Sequence, residues 1–298
     1  MRWRGDRQSS NVEDRSGSSG RSTGKMAAGG GIGVFLIAII VFFLSGGDLS
    51  TVTDTLGGGI TSATYETENV SSKEYTDQKE FAAVVFAHLE DYWNDEFEQL
   101  NEPYQNPTLV LFTDSVSSAC GQASSQVGPF YCPADQNVYL DLSFADELSN
   151  KYGATGDYAM AYVIAHEVGH HVQNELGISA QLDKIRKRVS ESEYNKYSVR
   201  LELQADYLAG CFSKYLAGET YQGQPILEEG DIDEAITAAN AIGDDTLQKE
   251  YQGYVVPDSF THGTSQQRIN WFKRGFQYGD LKHGDTFNEK NLDLSTAA

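Results

Sequence analysis

The sequence predicts an α+β fold joined to a membrane segment, and three observations predict it. Strand-like stretches cluster between residues 108 and 143, the chain after them is mostly helical, and the two kinds of element do not alternate as a doubly wound sheet requires. Ahead of both halves, residues 26–47 form a 22-residue run without a charged side chain.

Composition is that of a folding chain. Of 298 residues, 40% are hydrophobic and 22% are charged, and the length supports a substantial core. The formal net charge of −21 is unevenly spread: residues 1–25 hold six basic and three acidic side chains, which leaves −24 for the rest. So acidic a body repels phosphates, and no basic groove interrupts it, which argues against nucleic acid as a partner.

In chain order, residues 1–25 read as a basic arm. The run after it is centred on 32–44 and, at 1.5 Å per helical residue, is long enough to cross about 30 Å of hydrocarbon. A cleaved signal peptide competes with an anchor, but its basic start is usually much shorter, and Ser45-Gly46-Gly47-Asp48 is no clear cleavage site. The favoured reading is a single-pass anchor over 26–46 in contact with membrane lipid. It leaves the basic arm in the cytoplasm and places the residues beyond the anchor in the periplasm or outside the cell. Residues 47–78, with Gly57-Gly58-Gly59 and many Ser and Thr, read as a linker, 79–287 as the folded domain, and 288–298 as a polar, fraying tail.

Inside the domain, Phe81, Val84, Val85, Leu89, Tyr92 and Trp93 recur at helical spacing over 80–100, and His88 in that stripe reads as a core histidine and not as a ligand. Strands are expected at 108–112, at 128–131 and, half-buried by its alternation, at 137–143. Cys120 and Cys132 flank a Gly- and Ser-rich loop and are a plausible disulfide in an oxidising compartment, whereas Cys211 sits in an apolar helical stretch.

Two later helices carry the chemistry. The first, over 157–176, contains His166-Glu167-Val168-Gly169-His170. Its imidazoles lie one turn apart on one face, close enough to hold one tetrahedral ion, and Glu167 is turned about 100° away, where a carboxylate reaches a water on that ion. The second, over 191–216, places Glu202 and Asp206 on one face beside the small residues Ala205 and Ala209. Acids on an otherwise apolar face need a positive neutraliser. Glu202 is therefore expected as third ligand of one Zn²⁺ per chain, with Asp206 accepting from the free nitrogen of a ligating histidine. Two imidazoles and a carboxylate suit zinc, and cobalt and manganese accept the same set.

Taken with Met1-Arg-Trp-Arg-Gly5, Asn11-Val-Glu-Asp-Arg15, Gly128-Pro-Phe-Tyr-Cys-Pro-Ala-Asp135, Thr261-His-Gly263 and Gln267-Arg-Ile-Asn-Trp-Phe272, these motifs resemble the putative neutral zinc metallopeptidases over nearly the whole chain. The resemblance implies a zincin-like, gluzincin-type domain: a small, mostly antiparallel sheet, the His-Glu-x-x-His helix and a helical C-terminal half. It also implies that 137–143 is an edge strand beside the metal, to which an extended peptide adds through backbone hydrogen bonds. His262 stands just before the capping pattern Thr264-Ser-Gln-Gln267 and resembles the late histidine that some zincins aim at the substrate oxyanion, with Arg268 as a weaker candidate for that work or for pairing with an acid.

Three readings of function compete. The first is a membrane-anchored zinc peptidase hydrolysing peptide or protein substrates, in which an ion-activated water attacks and Glu167 is the general base. The second is a catalytically silent zincin-like scaffold of the cell envelope, against which the intact Glu167 speaks. The third is a protein–protein adaptor with an accidental motif, which would hold no stoichiometric zinc.

Overall fold

The computed structural model describes residues 1–17 and 75–294, and the 26–46 anchor with most of the 47–78 linker lies outside them. Eight strands and eight α-helices occur among the described residues. In chain order they are β1 (Val12–Asp14), α1 (Thr76–Leu100), β2 (Thr108–Phe112), β3 (Ser115–Ser118), β4 (Gly121–Ser124), β5 (Phe130–Cys132) and β6 (Asn137–Asp141). After these come α2 (Phe144–Asn150), α3 (Asp157–Glu175), α4 (Ile178–Arg186), α5 (Glu191–Gly218), β7 (Thr220–Tyr221), β8 (Gln224–Pro225), α6 (Asp231–Ala241), α7 (Asp244–Gln252) and α8 (Ser265–Tyr278). Among them no helix is long and apolar enough to cross a membrane.

The main sheet has the order β1-β2-β6-β5. Both β1 and β6 run parallel to β2, and only β5 is antiparallel to its neighbour. The mostly antiparallel sheet that the resemblance implies is thus corrected to a mostly parallel one, because β1 and β6 both join β2 in parallel. A second correction concerns 137–143. Its strand, β6, is internal between β2 and β5, and the edge on that side is β5. Nor is β6 half-buried. Val138 and Leu140 join the main core, while Tyr139 enters a second cluster with Val110, Phe112 and Phe130 beneath the β3–β4 hairpin.

Residues 1–17, expected as a separate arm, pack as part of this fold. β1 pairs with β2 in the register Val12↔Leu109, Glu13↔Val110, Asp14↔Leu111. Met1 and Trp3 are buried, and the N-terminal ammonium lies 2.6 Å from Asp157 and 3.2 Å from Asp231. His88 is half-buried and meets Asp6 at 2.9 Å. The expected fraying tail is also held down as far as 294. Trp271 Nε1 donates to Leu292 O, and Arg200 Nη1 donates to Glu289 O.

The helical half is organised by close backbone approach. A Cβ on Gly210 would lie 2.1 Å from Phe272 O, and one on Gly275 would lie 1.9 Å from Tyr207 O, so α5 and α8 meet along a seam that admits no side chain at either position. Gly169 similarly lies against Ala205, where a Cβ would meet the Ala205 backbone at 3.2 Å, and this brings α3 onto α5. Ser190 caps α5 by accepting from Glu193 N, and Thr264 with Gln267 forms a reciprocal capping box on α8, each cap contributing about 1 kcal/mol.

Candidate metal centre

The Gly169–Ala205 contact sets the distance between α3 and α5 at the point where their polar residues face each other. His166 Nε2 lies 3.1 Å from Glu202 Oε2, and His170 Nε2 lies 3.5 Å from Glu202 Oε1. One ligand atom from each of the three residues falls within 4.8 Å of the others. Donors bound tetrahedrally at about 2.0–2.1 Å stand roughly 3.3 Å apart, so the three residues are near enough to close on one ion. Glu202 is only 2% exposed. Burial alone would raise its carboxyl, but the imidazoles of His170, His262 and His166 outweigh that and hold it well below the usual carboxylate range.

Each imidazole is oriented from behind. His166 Nδ1 is 2.9 Å from Asp206 Oδ1, so as an N–H it donates there and leaves Nε2 for the ion. Asp206 is fully buried; Tyr162 OH donates to its Oδ1 at 2.6 Å, and Arg268 donates from Nε to Oδ2 at 2.9 Å and from Nη2 to Oδ1 at 3.0 Å. Burial pushes the Asp206 carboxyl up, but Arg268 and His166 bring it below its ordinary value, so it stays an acceptor. Of the two roles considered for Arg268, pairing with an acid is the one the structure shows, and the α5–α8 glycine seam delivers it. Gln173 is an addition that the motifs do not announce: its Oε1 accepts from His170 Nδ1 at 2.9 Å while its Nε2 donates to Leu201 O at 2.7 Å. Its place at i+3 from His170 on the same helix is the only signal the sequence offers.

Glu167 is half-buried in the same cleft, and burial raises its carboxyl against the opposing effect of His170 and His166. His262 also lines this cleft. Its Nδ1 lies 3.1 Å from Asp244 Oδ1, while the backbone N–H groups of Thr261, His262 and Gly263 all donate to Asp244 Oδ2. Asp244, 18 residues earlier and at no telling interval, is invisible to motif reading. His171 points elsewhere, with Nε2 on Gln105 O and Nδ1 on Tyr131 OH, and burial lowers its imidazole to about 4. Tyr139 and Tyr207 are engaged by Asp135 and by Asp280 O.

One wall of the cleft is the edge strand: Phe130 and Tyr131 of β5 line it together with Val127 and Pro129. That stretch lies inside the loop closed by a Cys120–Cys132 disulfide, and Cys211 is a buried free thiol.

The chain matches the family described as "Putative neutral zinc metallopeptidase" over residues 1–287. It is 47% identical to the uncharacterized protein YpfJ of Escherichia coli K12 over 294 residues, 97% of this chain and 99% of that protein. It is 41% identical to the uncharacterized protein Mb2605 of Mycobacterium bovis over 195 residues, 63% of this chain and 65% of that one. No solved structure matches it.

Proposed function

The chain belongs to the putative neutral zinc metallopeptidases, and from that premise we propose that it hydrolyses peptide bonds outside the cytoplasm, with zinc held by His166, His170 and Glu202. The observation that carries this is the convergence of three donors within 4.8 Å of one another, beside a carboxylate, Glu167, that is not one of the three. When bound, the metal supplies Lewis acidity, polarising the scissile carbonyl and making water more acidic.

The remaining work belongs to the chain. Glu167 takes the proton of the attacking water and passes it to the departing amine. His262, fixed through Nδ1 by Asp244, presents its other nitrogen to the oxyanion as charge develops. Asp206 and Gln173 keep the two ligand imidazoles in the tautomers that expose Nε2. An extended substrate lies along the outer edge of β5, whose one sheet partner is β6, so that backbone hydrogen bonds do most of the positioning. The disulfide supports an oxidising compartment.

The test is Glu167→Gln. It keeps one zinc per chain by metal analysis and lowers cleavage of a peptide library by about 10²–10⁴-fold. Parental cleavage rates in that variant overturn the assignment.

A further inference from the structure

The sequence's most conspicuous feature outside the metal centre, the uncharged run at 26–47, separates two parts of the chain that the fold joins. Residues 1–17 contact the body along their whole length. Arg2 N donates to Ile226 O at 2.8 Å, Ser9 N to Ala83 O at 2.9 Å, and Leu109 N to Asn11 O at 2.9 Å. Trp3 packs edge-on against Phe81 at 5.5 Å. Ser9 Oγ and Asn11 Nδ2 both donate to Glu90 Oε1, and Lys79 Nζ reaches Asp14 at 2.7 Å. β1 is a full member of the main sheet, and without it the β2 edge, with Leu109 and Val110 at 0% exposure, would lose its cover.

Charge gives the same answer independently. The basic excess of residues 1–25 reads from sequence as a signal for cytoplasmic retention. In the fold Arg2 pairs with Glu228, Arg4 with Asp77 and Arg7 with Asp91. Three of the six basic side chains of residues 1–25 therefore face acids of the body, a use for their charge that needs no membrane.

A stretch that crosses a bilayer once leaves its two flanks on opposite sides, about 30 Å of hydrocarbon apart. Strand pairing at hydrogen-bond distance between β1 and β2 is incompatible with that separation. We infer that residues 1–17 and residues 75–294 of one chain lie on the same side of any membrane, so that no bilayer separates the two flanks of the uncharged run. The inference is independent of the peptidase reading, and it replaces the expected arrangement of a cytoplasmic arm with an exported domain.

The full-length protein in intact cells tests this. Gln8 and Glu229 are exposed, one in the arm and one in the body, and the native cysteines are buried or disulfide-bonded. Gln8→Cys and Glu229→Cys chains are exposed to a membrane-impermeant maleimide before and after permeabilisation. The expected result is the same pattern for both variants, either before or only after. Labelling of one in intact cells and of the other only after permeabilisation overturns the inference. A second pair, Ser10→Cys and Glu250→Cys, repeats the comparison at two further exposed positions, so that one misfolded variant does not decide it.

Discussion

Helix α3 bears two gatherings of side chains that answer the same description. At its start, Asp157, Asp231 and Glu234 bring ligand atoms within 4.8 Å of one another, and further along His166, His170 and Glu202 do the same. They differ in what faces them. The first is all oxygen, and the chain itself supplies its cation: the Met1 ammonium sits against Asp157 and Asp231, Trp3 Nε1 donates to Asp157, and Tyr158 N donates to Glu234. The second mixes imidazole with carboxylate, and every nitrogen turned away from the centre is occupied from behind. Convergence of acids alone does not make a metal site; donor type and the origin of the compensating charge separate a clasp from a coordination shell. A third case serves as contrast. Asp141 is fully buried, its Oδ1 accepts from Ser143, and its Oδ2 has no hydrogen-bond partner among the described residues.

The largest effect is expected at the second cluster. Glu202→Ala should bring zinc content to background by metal analysis, whereas Asp157→Asn should leave it at one per chain; zinc loss in both would erase the distinction. Next comes the clasp. Trp3→Ala removes a buried indole and the donor to Asp157, and should cost about 3–5 kcal/mol in chemical denaturation while folded protein still binds zinc stoichiometrically.

Asp141 gives the third prediction, with the opposite sign. Burial raises its carboxyl to about 6, above the unfolded value of about 3.9. The folded state therefore holds this proton more tightly, so the ionised group costs stability at pH 7, and the cost fades as pH falls through 6 towards 4. Asp141→Asn should stabilise the protein by up to about 3 kcal/mol at pH 7, with the gain shrinking at pH 5. Equal gains at both values would show that its charge is not the cause. Smallest is Arg268→Lys, which keeps the charge but not the forked pair on Asp206; zinc affinity should fall by about 10–100-fold in a competition titration with a chelator.

Much of the candidate metal centre is legible in the sequence because its signals are local. His166, Glu167 and His170 are written at one-turn spacing, as are Glu202 and Asp206, and the capping box that opens α8 is a four-residue pattern. Strand Thr108–Phe112 is legible from its apolar run. The elements that escape depend on partners distant in sequence. Strand β1 spans three residues, two of them acidic, and exists because β2, nearly a hundred residues later, pairs with it. Helix α6 buries Ala235, Ala238 and Ala239, side chains too small to mark an apolar face strongly. Asp244 orients His262 from another helix, with no interval to announce it. The basic arm is ambiguous for a different reason. Positive charge next to an uncharged run has two physical uses, and composition alone does not choose between membrane topology and attraction to an acidic surface.

The clasp at the start of α3 also sets an order on biogenesis. Met1 is held by Asp231, 230 residues later, so at roughly 5–20 residues per second its binding pocket is completed only some tens of seconds after the first residue leaves the ribosome. Met1 is thus made long before its full set of partners. A nascent chain interrupted before residue 231 has Asp157 for the Met1 ammonium but still lacks Asp231, the second half of the clasp.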